Sequence, residues 1–300
     1  MRLVKLFFHL SYRDCERKQV MTNPLVTPSW LAQRIGDPSI VILDATLPPV
    51  GVTPPVDTHA RYVAQHIPGA IFFDIDQLSE HSTHLPHMLP TPEAFSRSMS
   101  ALGVGDQMRI VVYEQEGVFS APRAWWMLRT FGAQDVRILD GGLPAWIEAG
   151  LPMNAGYVDR APSTFRSKFH RDAVKNFAEI QQMIAKHEQI LDARSSGRFT
   201  GVLPEPRPGI NSGHMPGAIN TPFTDLVEDG RLKTAEKLRE YFTAKGVNLA
   251  QPITTTCGSG VTAAVIALGL EVAKAKHVSL YDGSWAEYAQ RPEAVVEKTK

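Results

Sequence analysis

Cysteine is nearly absent: only Cys15 and Cys257 occur in 300 residues. Two thiols so far apart make no disulfide scaffold and cannot by themselves supply a zinc site. A lone thiol persists in a reducing compartment, so the expected location is cytoplasmic. Neither sign of charge is in excess, because 31 Lys and Arg balance 31 Asp and Glu. That excludes nucleic-acid or membrane-surface binding driven by bulk charge and leaves room for a local basic pocket. No apolar run approaches the roughly 18 residues a membrane-spanning helix needs. No nucleic-acid, membrane or cofactor partner is expected. What is present is a globular composition, 43% hydrophobic and 21% charged, in a chain long enough for about two domains.

The first twenty residues are basic and contain the run LVKLFFHL. Lys5 and His9 interrupt it, and Tyr12-Arg13-Asp14 follows where a signal peptide would carry small residues. Asp14 and Glu16 weaken an organelle presequence. Residues 1–21 are expected to be a disordered extension, or to precede a start at Met21, with Cys15 a bystander.

The rest of the chain repeats itself. LDAT at 43–46 and HIPGAI at 66–71 are answered by LDAR at 191–194 and HMPGAI at 214–219. RIVVYEQEGVFSAPRAW at 109–125 is answered by PITTTCGSGVTAAVI at 252–266, and LDGGLPAW at 139–146 by YDGSWAEY at 281–288. The four pairs keep their order, and their period is far too long for a solenoid. Each copy alternates short apolar runs with helical stretches. VILDA, AIFFD, RIVVY and VRILD in the first copy, and QILDA, AINTP, PITTT and VSLYD in the second, read as parallel strands buried on both faces. TPEAFSRSMSALG, APRAWWMLRTFG, TAEKLREYFTAKG and TAAVIALGLEVA read as helices. The fold class is α/β: two tandem domains, each a parallel sheet flanked by helices on both faces. The expected boundaries are 22–150 for the first domain, 151–172 for a linker rich in Pro, Gly and charge, and 173–300 for the second.

Cys257 follows a strand and precedes a helix, beyond the carboxyl end of the sheet, where ligands bind in such folds. Helix N-termini offer unpaired N–H groups and a positive pole, which favour a thiolate and its nucleophilicity. Gly258 and Gly260 let successive amides curl towards the sulfur as an anion-binding nest, and Ser259 and Thr262 add hydroxyls. A small buried Cys at a strand end would look similar; the glycines, the helix start and the repeat favour function. The first copy carries Glu114 where the second carries Cys257. A carboxylate cannot serve as a sulfur nucleophile, so a single active site is expected, in the second domain.

On these residues residues 22–290 resemble the two-domain rhodanese, or sulfurtransferase, family. CGSGVTA is similar to the active-site loop of its 3-mercaptopyruvate-using branch, and thiosulfate-preferring members usually carry a basic pair in place of Gly258 and Ser259. HIPGAIFFDID, SAPRAWWMLRTFG, GRF at 197–199, PEPRPGI at 204–210 and YDGSW are further family-like segments. The resemblance implies that Cys257 takes sulfur from 3-mercaptopyruvate, becomes a persulfide and releases pyruvate. A thiol, cyanide or a thioredoxin-like protein then accepts the sulfur. It implies that the loop Gly258, Ser259, Gly260, Val261 and Thr262 stabilises the anionic sulfur, and that Arg198 and Arg207 hold the substrate carboxylate. It also implies a Ser–His–Asp relay, assigned by position to Ser259, His66 and Asp57, although His214 repeats the setting of His66 and suggests a shared structural role. Arg194 reads as structural, paired with a carboxylate.

Alternatives remain at this point. A thiosulfate:cyanide sulfurtransferase differs only in preferred donor, and a sulfur-carrier or binding module would need no turnover. A Cys-x5-Arg phosphatase would need Arg where Ala263 stands. His81, His84 and His87 lie close together, but Pro86 interrupts them and no acidic or Cys partner is patterned around them, so they read as a polar loop rather than a metal site.

Overall fold

The computed structural model describes residues 23–299; the expectations for residues 1–21 and Cys15 lie outside the described residues. The first sheet contains β1 (Leu25–Val26), β2 (Ile40–Asp44), β3 (Ala70–Phe72), β4 (Arg109–Tyr113) and β5 (Asp135–Leu139). The second half contains β6 (Val174–Lys175), β7 (Gln189–Asp192), β8 (Ile219–Asn220), a small hairpin of β9 (Val227–Glu228) and β10 (Arg231–Leu232), then β11 (Ile253–Thr256) and β12 (Val278–Tyr281). The strand orders are β1-β5-β4-β2-β3 and β6-β12-β11-β7-β8, so the repeat in sequence is a repeat in topology. All pairings within the two large sheets are parallel. The edge strands β1 and β6 and the hairpin are additions to the sequence reading, since two residues are too few to show a period.

The strands of the first sheet alternate between two apolar surroundings. Val41, Leu43, Ile110 and Val112 enter a large cluster that also holds Leu191, Ile253, Ala264 and Leu280 of the second copy. Ile40, Ile42, Val111 and Tyr113 face a separate cluster around Trp146. The second sheet has its own outer cluster around Trp285. Two helices join the copies: Ala121–Thr130 packs against Val261–Val272, with Arg129 and Glu271 paired at 3.0 Å. Val261–Val272 is buried on nearly all sides, which explains its almost unbroken apolar sequence. The segment 151–170 is extended along the first copy, where Lys168 and His170 donate to the carbonyls of Phe131 and Thr130 and Phe165 is buried.

Candidate active site

β11 is the central strand of its sheet, and residues 257–260 form the turn between its carboxyl end and the helix Val261–Val272. Cys257 is 2% exposed. Gly260 has φ +80°, a conformation that favours glycine, and its N–H donates to Cys257 Sγ at 3.1 Å. Ser284 Oγ receives the Cys257 N–H at 3.3 Å, while the N–H groups of Trp285 and Ala286 donate to the carbonyls of Cys257 and Gly258, each at 2.9 Å. The start of the helix Ser284–Tyr288 thus pins the turn. Two details differ from the sequence reading. One loop amide, not several, reaches the sulfur. Gly258 does not adopt a positive φ; it lies close to Arg198, whose Nη2 would be 2.9 Å from a Cβ placed there.

The sulfur faces a cavity of about 510 Å³ built from both copies. The second copy contributes Cys257, Gly258, Ser259, Val261, Thr262, Arg198 and Arg207; the first contributes Asp76, His87, Phe119 and the stretch around Leu47 to Pro55. Arg198 lies on the short helix Ser196–Thr200 and is ion-paired with Glu205. Glu205 also takes Arg194 at 2.7 Å, and Arg194 grips Asp192, so Arg194 is the structural residue the sequence suggested. Arg207 has no carboxylate in salt-bridge range among the described residues, and its Nη2 lies 3.4 Å from Ser259 Oγ. Burial lowers its guanidinium pKa from the usual value, opposed by the charge of Cys257.

A Ser–His–Asp chain is present, and it is built from other residues than expected. His87 Nδ1 lies 3.0 Å from Ser259 Oγ, and its Nε2 lies 3.1 Å from Asp76 Oδ1. That hydrogen bond, with burial opposing it, holds Asp76 below its ordinary carboxylate range. His66 and Asp57 do not line the cavity. His66 Nδ1 is tied to the Tyr62 carbonyl at 2.9 Å, its ring stacks on Tyr62, and its backbone bridges Asn154. His214 makes the same three contacts with Phe199 and Glu297, so the repeated histidine pins the return segment of each domain. Asp57 caps the helix Thr58–Ala64 by accepting the Ala60 N–H at 2.8 Å. His87, read as part of a polar loop, is instead the group that reaches the second copy. A usable signal was present: the first copy spends more residues than the second between its AI pair (Ala70, Ala218) and the cap of its next ten-residue helix (Thr91, Thr234). An insertion confined to one copy of a repeated domain is a candidate for function.

The first copy keeps the same strand–turn–helix unit with the anion built in. The Glu114 carboxylate accepts the N–H groups of Phe119, Ser120 and Ala121 at 2.7, 2.9 and 3.0 Å, and the Ser120 hydroxyl at 3.1 Å. Complete burial nevertheless pushes its pKa up to about 7.

Residues 27–149 and 176–291 each match the family described as rhodanese-like domain. The 3-mercaptopyruvate sulfurtransferase of Escherichia coli (strain K12) is 45% identical over 282 residues, 93% of this chain and 99% of its own length. The Homo sapiens protein of that name is 42% identical over 289 residues, 92% of this chain and 96% of its own. The crystal structure of SseA from Escherichia coli, described as a 3-mercaptopyruvate sulfotransferase with the rhodanese fold, aligns with a TM-score of 0.82 at 43% identity and covers 88% of this chain and 99% of that one.

Proposed function

Because the chain belongs to the rhodanese family, we propose that it is a 3-mercaptopyruvate sulfurtransferase whose nucleophile is Cys257. The observation that carries this reading is one cavity holding the Cys257 thiol, two guanidiniums beside Gly258 and the Ser259–His87–Asp76 chain. Arg207 and Arg198 bind the substrate carboxylate, a task that suits the planar fork of Arg. The Cys257 thiolate attacks the substrate sulfur. An S–S bond forms, the C–S bond breaks, and its electron pair goes to carbon to give the enolate of pyruvate. The proton of the substrate thiol passes through Ser259 and His87 to that carbon, with Asp76 orienting the imidazole. The persulfide left on Cys257 rests against the Gly260 N–H, in the role of an oxyanion hole. An acceptor thiolate then attacks the outer sulfur and restores the Cys257 thiolate, which is covalent catalysis in two half-reactions.

The geometry favours mercaptopyruvate over thiosulfate as donor. Gly258 puts no charge beside the thiol, and Glu205 pairs with Arg198, so among the described residues Arg207 is the one arginine lining the cavity without a carboxylate in salt-bridge range. One unpaired guanidinium suits a single carboxylate better than a dianion. The acceptor is a small thiol, cyanide or the exposed thiol of a thioredoxin-like protein, in a reducing, cytoplasmic setting; no helix among the described residues is long and apolar enough to cross a membrane.

The test is steady-state turnover of both donors with cyanide as acceptor, beside the mass of the protein after one exposure to mercaptopyruvate. Wild type is expected to prefer mercaptopyruvate and to gain one sulfur atom; Cys257→Ser should do neither. Turnover by Cys257→Ser would end the persulfide proposal, and a thiosulfate preference would overturn the donor assignment.

A further inference from the structure

Arg123 belongs to the first copy, on the helix Ala121–Thr130, yet its guanidinium bonds the His87 loop and two residues of the second copy, Gly260 and Asp282. Its side chain is 0% exposed. A guanidinium so far from water needs partners for its donors, and here both terminal nitrogens have them while Nε has none. Nη2 donates to the His87 carbonyl and, at 2.8 Å, to Asp282 Oδ1. Nη1 reaches the Gly260 carbonyl at 3.4 Å. Asp282 follows β12 directly, and its second oxygen accepts the Leu89 N–H at 2.8 Å. Arg123 and Asp282 therefore hold residues 87–89 at both ends, against the loop that carries Cys257.

Two residues held by this node, His87 and Gly260, belong to the proposed sulfur-transfer site. His87 has φ +58°, an uncommon conformation for a residue with a side chain, and it persists where the surroundings over-determine it. Gly260 gives its N–H to the sulfur and its carbonyl to Arg123, and a Cβ on it would lie 2.9 Å from Nη1.

We propose that Arg123 is a positioning residue: with Asp282 it clamps the His87 loop of the first copy onto the cysteine loop of the second and thereby sets the alignment of His87 with Ser259. The proposal rests on the sulfurtransferase reading of this site. It gives the domain without a nucleophile a catalytic duty, since both the imidazole and the cation that seats it come from there.

The two sulfur donors separate positioning from general support. Mercaptopyruvate carries a thiol proton that the relay must move, whereas thiosulfate transfers its outer sulfur and leaves as sulfite with no proton to move. Arg123→Lys keeps a cation for Asp282 but loses the fork that also reaches His87. Asp282→Asn keeps the size and removes the charge that fixes the guanidinium. In each variant kcat with mercaptopyruvate should fall by about 10- to 100-fold, the scale of a misplacement near 1 Å, with KM changing less than about threefold. Loss with thiosulfate should stay under about threefold, so the ratio of the two kcat values moves towards thiosulfate by about tenfold. An unchanged ratio, equal loss with both donors, or a change confined to KM would overturn the proposal. Should Arg123→Lys fail to fold, Asp282→Asn decides by the same ratio. A wild-type chain that turns over neither donor would mark failure of the sulfurtransferase reading itself, seen before any variant is compared.

Discussion

His66 and His87 share a chemistry and part at the level of what surrounds them. The His66 ring is tethered to the preceding helix and stacked on Tyr62, so it acts as a fastener. The His87 ring is held between Ser259 and Asp76, so it can pass a proton. His87→Gln is expected to lower kcat with mercaptopyruvate by about 100-fold, the low end for loss of a general acid–base, while the melting temperature stays put. His66→Ala should lower the melting temperature by roughly 3 °C or more and leave kcat of the folded protein within about threefold. Measuring both variants by turnover and by thermal unfolding checks the pair of assignments; the opposite pattern would restore His66 to the relay.

The strand–turn–helix unit occurs twice and handles an anion in two ways. Around Cys257 the turn is short and leaves the sulfur with one N–H, open to a cavity. Around Glu114 the turn is longer and the carboxylate takes four donors, which fix Phe119 and Ser120; the Ser120 hydroxyl in turn receives the Leu47 N–H. Phe119 and Leu47 are walls of the active cavity, so the silent unit shapes the working one. Burial raises Glu114 from 4.5 to about 7. A raised carboxyl pKa means that the folded state binds more protons than the unfolded one between those values. The contribution is therefore full below about pH 4.5 and is lost as pH rises through about 7, on the order of 3 kcal/mol over the window. Glu114→Gln, whose amide would face N–H donors, should be less stable at every pH and should lack this slope. Denaturant unfolding of both proteins at about pH 5 and about pH 8 measures it; parallel pH dependences would refute the assignment.

At the scale of the whole molecule, the largest apolar cluster spans both sheets, and the helix pair Ala121–Thr130 and Val261–Val272 forms its seam. Neither copy can lose its fold without exposing the core of the other. Unfolding is expected as one cooperative transition in calorimetry, with no populated state in which one domain survives. Two resolved transitions would show that the copies are energetically independent. The shared core also fixes the cavity, because its walls come from opposite sides of that seam.

Much of this was legible along the chain because it depends on near neighbours. Buried runs such as RIVVY and PITTT, helical stretches such as TPEAFSRSMSALG and TAEKLREYFTAKG, and the order of the repeat are local patterns, and the central strands and helices follow from them. Cys257 at a strand–helix junction is local too, as is Glu114 in the matching place. Arg198 and Arg207 were found by likeness to a family pattern rather than by any physics of their own segments. His87, Asp76, Arg123 and Asp282 escaped for a different reason. His87 meets Ser259 across 172 positions, and Arg123 meets Asp282 across 159. No periodicity or spacing encodes such a contact, which exists only once two sheets have packed and the helices between them have met. The sequence by itself determined the two tandem domains, the lone described cysteine at a strand–helix junction and the turn that presents it. The tertiary structure alone decided which histidine faces that turn, because that choice lies in how two copies of one domain are placed against each other.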